Sequence, residues 1–128
     1  YFKRASKGGP NKSPEFSFVL VGWGSGTGES SSPLKSLLAT HDKSKGMGAS
    51  NRGRHANPMM DEVLLKALAT VDDKERGTLL AKATEIGIGE DQGIIPLHYQ
   101  VNTWATRPGL KYNARADERT VGLDLVKE

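Results

Sequence analysis

FSFVLVGWGSGTGESSSP, residues Phe16 to Pro33, decides the fold class of this chain. Phe16, Phe18 and Leu20 alternate with Ser17, Val19 and Val21, and this period of two reads as a strand buried on at least one face. The strand runs straight into a glycine-rich loop with one tryptophan, then into serines and a proline that can open a helix. Strand, glycine loop and helix in succession are how an α/β protein presents a binding surface. The strand fixes the loop in place, and glycine lets backbone come close to whatever is bound.

Outward from that stretch, Ser31 or Ser32 is placed to cap a short helix with Pro33 at its first position and Leu34, Leu37 and Leu38 on one side. Residues 41–56, HDKSKGMGASNRGRHA, hold three glycines and no apolar period, and read as a long, exposed, mobile loop. Asn57-Pro58 then starts the clearest helix, because Met60, Val63, Leu64, Ala67, Leu68 and Val71 form one apolar stripe. Asp72 and Glu75 make a capping box for a second helix, with Leu79, Leu80, Ala83 and Ile86 on one side and an end at Gly87 and Gly89.

Upstream, Tyr1 to Lys7 has helical composition and stops at Gly8-Gly9-Pro10, which reads as the last part of a helix. Downstream, Ile94 to Thr106 alternates between two faces. Ile95, Leu97, Tyr99, Val101 and Ala105 are expected to face a core, and Pro96, His98, Gln100, Asn102 and Trp104 to form a polar-aromatic face. The tail after Pro108-Gly109 is polar, with a last strand expected within Thr120 to Val126.

At 128 residues the chain has room for one domain and one core. A net charge of +3, with small basic groups only at Lys3 to Lys12 and Arg52 to Arg54, lacks the clustered stripe that nucleic acid demands. Without cysteine there are no disulfides, thiolate metal sites or cysteine nucleophiles. No window has the length and apolarity of a membrane span, and the chain opens on Tyr1 rather than methionine, as an excised piece would, with any targeting signal upstream.

The known catalytic and nucleotide spacings fail one by one. With Gly28 as the second glycine of a P-loop, Trp23 stands where the first should be and Glu29 replaces the lysine, where a carboxylate would repel phosphate. Neither Gly22, Gly24 nor Gly26 begins a dinucleotide fingerprint. His41, His55 and His98 are far apart and have no carboxylate at ligand spacing. Gly24-Ser25-Gly26 is not a nucleophile elbow, because the glycines flank the serine directly. Trp23 is either a core or hinge aromatic or a pocket wall. His98 is either a surface strand histidine or lines a cleft beside Gln100, Asn102 and Trp104.

Gly22-Trp23, the loop to Pro33, Asn57-Pro58 with Asp61, Asp72-Asp73 followed by Arg76, and Ile94-Ile95-Pro96-Leu97-His98 occur in an order and spacing that resembles a known family. They look like the C-terminal part of the extracytoplasmic solute-binding proteins of peptide and nickel type, family 5, which deliver ligand to ABC importers. The resemblance implies an α/β chain that forms the C-terminal portion of one lobe of a two-lobed periplasmic-binding-protein-like fold, with a mixed sheet and packed helices. Residues 1–128 would be a single partial domain, with the tail at about 107–128 returning toward the other lobe. It implies a binding component without catalytic residues, metal or cofactor. Such a component takes an oligopeptide or other small solute at an interlobe cleft and passes it to ABC permease subunits. The whole protein would be monomeric, periplasmic or otherwise extracytoplasmic, and would not bind nucleic acid.

The resemblance also carries a departure. In peptide-binding members the tryptophan matching Trp23 is followed three residues later by an aspartate that pairs with the ligand's amino group, and here that position is Gly26. A buried ammonium without a carboxylate costs several kcal/mol. Either Glu29 takes the role, or the ligand has no amine to anchor and Ser25, Gly26 and Thr27 offer N–H and hydroxyl groups instead. His98 and Trp23 complete the expected site. From a different class, a small α/β hydrolase or transferase could use the glycine loop as an anion nest.

Overall fold

The computed structural model describes residues 1–128. Its centre is a pair of helices whose starts are set by the side chains expected to cap them. α3, Pro58–Ala69, starts where Asn57 Oδ1 accepts the N–H groups of Met59 and Met60 at 3.0 and 3.2 Å. α4, Asp73–Thr84, starts where Asp72 Oδ1 accepts the N–H of Glu75 at 2.8 Å. Each cap satisfies donors that a helix start leaves open. Met60, Leu64 and Ala67 of α3 are buried against Leu80 and Ala83 of α4. Val71 lies beyond the end of α3 and is exposed, so the stripe is one residue shorter than its sequence period.

α4 does not stop at its glycines. It runs on as a π-helical turn, Glu85–Glu90, which keeps Ile86 in the core. Gly87 is needed there, because a Cβ at that position would lie 2.7 Å from Met60 Sδ and 3.3 Å from Leu38 Cδ1. α2, Ser31–Pro33, likewise continues as a π-helical turn, Leu34–Leu38, and brings Leu34 and Leu38 into the same core. The helix opens two residues before Pro33 rather than at it.

Residues 41–56 are anchored rather than loose, which corrects the expectation of a mobile loop. Asp42 and Met47 exchange backbone hydrogen bonds at 3.1 and 2.9 Å, and the turn between them buries Met47 in the core. Asn51 then ties the segment down. Its Nδ2 donates to Ala39 O at 3.0 Å and to His55 O at 2.7 Å, while its Oδ1 accepts the His55 N–H at 3.0 Å.

The two alternating stretches differ most from expectation. Phe16 to Val21 and Ile94 to Thr106 belong to no sheet. A strand needs a partner for its backbone as well as an alternating face, and these segments find none within the chain. They run as two exposed arms. The second arm also has no core face, since Pro96, His98 and Gln100 are as exposed as the residues between them. Ile95, Leu97, Tyr99 and Val101, expected in a core, are exposed, while Trp104 on the other face is half-buried. Trp104 packs at 5.5 Å on Tyr112, and its Nε1 donates to Thr120 Oγ1 at 2.9 Å.

The sheet that does form is two-stranded and antiparallel rather than mixed, and it lies in the tail. β1, Leu110–Tyr112, pairs with β2, Leu125–Lys127, with Leu110 opposite Lys127. Only β2 overlaps the strand expected within Thr120 to Val126, because Gly122–Asp124 turns as a 3-10 helix. At the other end of the chain α1, Phe2–Lys7, stops before Gly8, and Tyr1 Oη donates to Leu20 O at 2.6 Å. Helices with a small sheet are compatible with an α/β fragment.

Candidate functional site

Between the two arms lies an open groove of about 900 Å³. One wall is Ser17 to Gly24, the other Gln92 to Gln100, and Leu37, Ser50, Arg52, Gly53 and Glu118 complete it. At the first wall a Cβ at Gly22 would lie 3.6 Å from Gln100 Oε1 and one at Gly24 3.5 Å from Glu118 Oε2, ordinary contact distances to two polar side chains. Behind the first wall, Tyr1 stacks on Phe16 with ring centroids 6.4 Å apart, and Arg4 lies over the Phe16 ring at 5.0 Å.

The structure gathers two of the six expected ligand residues in this groove and leaves four outside it. Trp23, half-exposed, and His98, exposed, both line it. Ser25 is occupied within its own loop, since its Oγ donates to Glu29 O at 2.7 Å and lies 3.2 Å from Thr27 Oγ1. No base stands beside that hydroxyl. Gly26 is open, with nothing within 4 Å of where a Cβ would be.

Glu29 faces the helices. Its Oε1 accepts from Arg76 Nη2 at 2.6 Å and Nε at 3.1 Å, while Arg76 Nη1 donates to Ala67 O at 2.8 Å and Thr70 O at 3.4 Å. One guanidinium thus joins the glycine loop to the end of α3. The Arg76 hydrogen bonds, followed by one from Ser31, hold the Glu29 carboxyl below its ordinary range. Both donors converge on one carboxylate oxygen, and each is a charge-assisted hydrogen bond.

A second cluster escaped the sequence reading. His55 Nδ1 lies 2.7 Å from Leu38 O and Nε2 2.8 Å from Asp91 Oδ2, which also accepts from Asn57 Nδ2 at 2.7 Å. The bonds from Asn57 first and His55 second lower the Asp91 carboxyl below its usual range. The cluster fastens the long loop to the end of α4 beside Gln92 and Gly93, and so supports the groove. Nothing in the spacing of residues so far apart in the chain pointed to it. Arg52 and Glu118, which also line the groove, were read only as part of a basic group and of a polar tail.

A second hollow of about 520 Å³ lies between Thr40 to Lys45 and α3. Its acidic groups are already engaged. Asp42 Oδ1 accepts from Ser44 Oγ at 2.6 Å and Asp61 Oδ1 from the Thr40 N–H at 3.0 Å.

Over 93 residues, 73% of this chain, the sequence is 28% identical to the periplasmic oligopeptide-binding protein OppA of Salmonella typhimurium. Over 63 residues, 49% of the chain, it is 35% identical to the protein of the same name from Haemophilus influenzae. The matched segments span 16% and 12% of the length of those relatives. No family model matches the chain, and no solved structure does. The likeness is to proteins named for binding rather than for catalysis, and at that coarse level it points to a solute-binding family. No helix is long and apolar enough to cross a membrane.

Proposed function

We propose that this chain belongs to the solute-binding component of an ABC-type importer. It contributes one wall of an interlobe cleft that takes up an oligopeptide or another small solute and delivers it to a membrane permease. It works in the periplasm or another extracytoplasmic space and carries out no reaction of its own. The observation that carries this reading is the groove between the arms, where Trp23 and His98, far apart in sequence, line one cavity of a size suited to a small ligand.

Of the two ways to hold a ligand near the glycine loop, the geometry favours the one that leaves Glu29 out. Arg76 already uses its carboxylate. The Ser25-Gly26-Thr27 loop is then the edge of the site, offering backbone N–H groups where glycine lets a ligand approach.

Native mass spectrometry of the intact protein, purified gently from its own host, tests the reading. Bound masses spaced like amino-acid residues support a peptide carrier. A single discrete mass supports a dedicated carrier for another solute. A protein that neither retains a ligand nor takes one from a peptide mixture is not a solute-binding component of this kind.

A further inference from the structure

His55 is the one histidine whose ring nitrogens both meet an oxygen. Nδ1 lies 2.7 Å from Leu38 O and Nε2 2.8 Å from Asp91 Oδ2, with 10% of the side chain exposed. Both partners only accept. Leu38 O is a carbonyl, and the bonds from Asn57 and then His55 keep Asp91 ionised by holding its carboxyl below the usual range. A neutral imidazole has one N–H, so in that form one of the two contacts would set a lone pair against an oxygen. The pair of contacts therefore calls for the doubly protonated, charged ring. His41 shows the contrast, since its single contact, Nδ1 to Gly48 O at 3.2 Å, needs only one hydrogen.

What this ring holds is the floor of the groove. A Cβ on Gly93 would lie 2.8 Å from His55 Cδ2, so the ring fills the space behind that glycine. A Cβ on Gly53 would in turn lie 3.9 Å from Gly93 O, and both glycines line the groove. The ring thus joins the end of the turn Leu34–Leu38, its own segment 41–56, and the residues that follow the turn Glu85–Glu90. Asp91 is the charged group that bonds to it. Of the other charges on these pieces and at the start of α3, Glu85 and Glu90 face Lys82, Asp61 accepts the Thr40 N–H, and Arg52 lies over the Phe2 ring. Lys35 and Arg54 make no bond to the ring.

We propose that His55 is a pH-sensitive clasp. Protonated, it locks the segment 41–56 and the start of the second arm into one groove floor, and on losing its proton it lets them part. The clasp needs a charged ring and an ionised Asp91. It is present at mildly acidic pH and is lost as the pH rises through the titration of the ring. In strong acid it is lost again, as the pH falls through the depressed titration of Asp91. The device belongs to the fold, so its test stands whether or not the groove takes up a solute.

Hydrogen–deuterium exchange of the intact protein at about pH 5.5 and about pH 8.5, corrected for the intrinsic effect of pH, brackets the span in which an imidazole changes charge. The amides to follow are those of His55, Asp91 and Gly93, each hydrogen-bonded close to the ring. Their protection is expected to fall by about tenfold to a hundredfold from the lower to the higher pH, the range of one lost charged hydrogen bond. Met60 to Ala67 in the core of α3 should stay equally protected at both. His55→Gln should abolish the difference, and His41→Gln should leave it in place. Equal protection of the wild type at the two values overturns the clasp, and that comparison decides the matter even if His55→Gln fails to fold. A difference that persists in His55→Gln overturns it as well, because another group would then be titrating.

Discussion

At the scale of single residues, Arg76 is the side chain with most depending on it. It satisfies two carbonyls at the end of α3 and the Glu29 carboxylate at once, with about a fifth of its side chain exposed. Replacing it with Ala should cost about 1–2 kcal/mol in urea unfolding, between the value of an exposed pair and that of a well-shielded charged hydrogen bond. The pair also predicts a pH dependence. Because folding lowers the Glu29 pKa, its contribution is present above the ordinary value of 4.5 and is lost as the pH falls through the folded value. Glu29→Gln should therefore flatten the acid limb of the stability curve, and an unchanged limb would contradict the pair. Glu29 could be singled out from sequence as a carboxylate near a glycine loop. Its partner could not, because 47 residues separate them and only the packing of α2 on α3, and of α3 on α4, brings them together.

At the scale of elements, α3 and α4 were legible because their signals are local. A cap, a stripe and a stop all lie within a few turns of one another. Two of the three glycines of the second helical segment, Gly77 and Gly87, separate local from tertiary causes. Gly77 has nothing within 4 Å of a built Cβ, so Gly77→Ala should stabilise by about 0.5–1 kcal/mol through backbone entropy alone. Gly87→Ala gains the same propensity but drives a methyl group into buried Met60 and Leu38, with a net loss expected at about 1–2 kcal/mol. Thermal melts that move in the same direction for both variants would refute the close packing of Gly87. The arms were not legible as they stand, because alternation says which residues share a face and nothing about whether another strand lies alongside. The hairpin of β1 and β2 was half legible, since its second strand has β-forming residues and its first was hidden in a polar tail.

At the scale of the whole molecule, the chain has one helical core and a second region rich in uncovered apolar surface. Tyr99 is fully exposed and Val101 nearly so, beside Ile95 and Leu97 on the same arm. An unpaired extended segment of that kind is prepared to add to another edge. The 128-residue chain on its own should therefore self-associate in sedimentation velocity as its concentration rises, and Tyr99→Lys with Val101→Lys should suppress this. Association unaffected by that pair of changes would place the contact elsewhere. The candidate site shows the same division between local and assembled information. Trp23 and His98 could be proposed from their own neighbourhoods, whereas the presence of Arg52 and Glu118 in the same groove depends on how distant segments pack.

The start of α3 also sets up a chemical contrast between adjacent sulfur atoms. Met59 is 58% exposed, while Met60 is 0% and Met47 3% exposed. Peroxide reaches thioethers in proportion to their access, and a sulfoxide in a core is disruptive. A brief peroxide pulse on the folded chain should therefore add a single oxygen, at Met59, and leave the circular dichroism unchanged. Uptake of two further oxygens would then be a mass-spectrometric clock for opening of the core, available without any ligand at all.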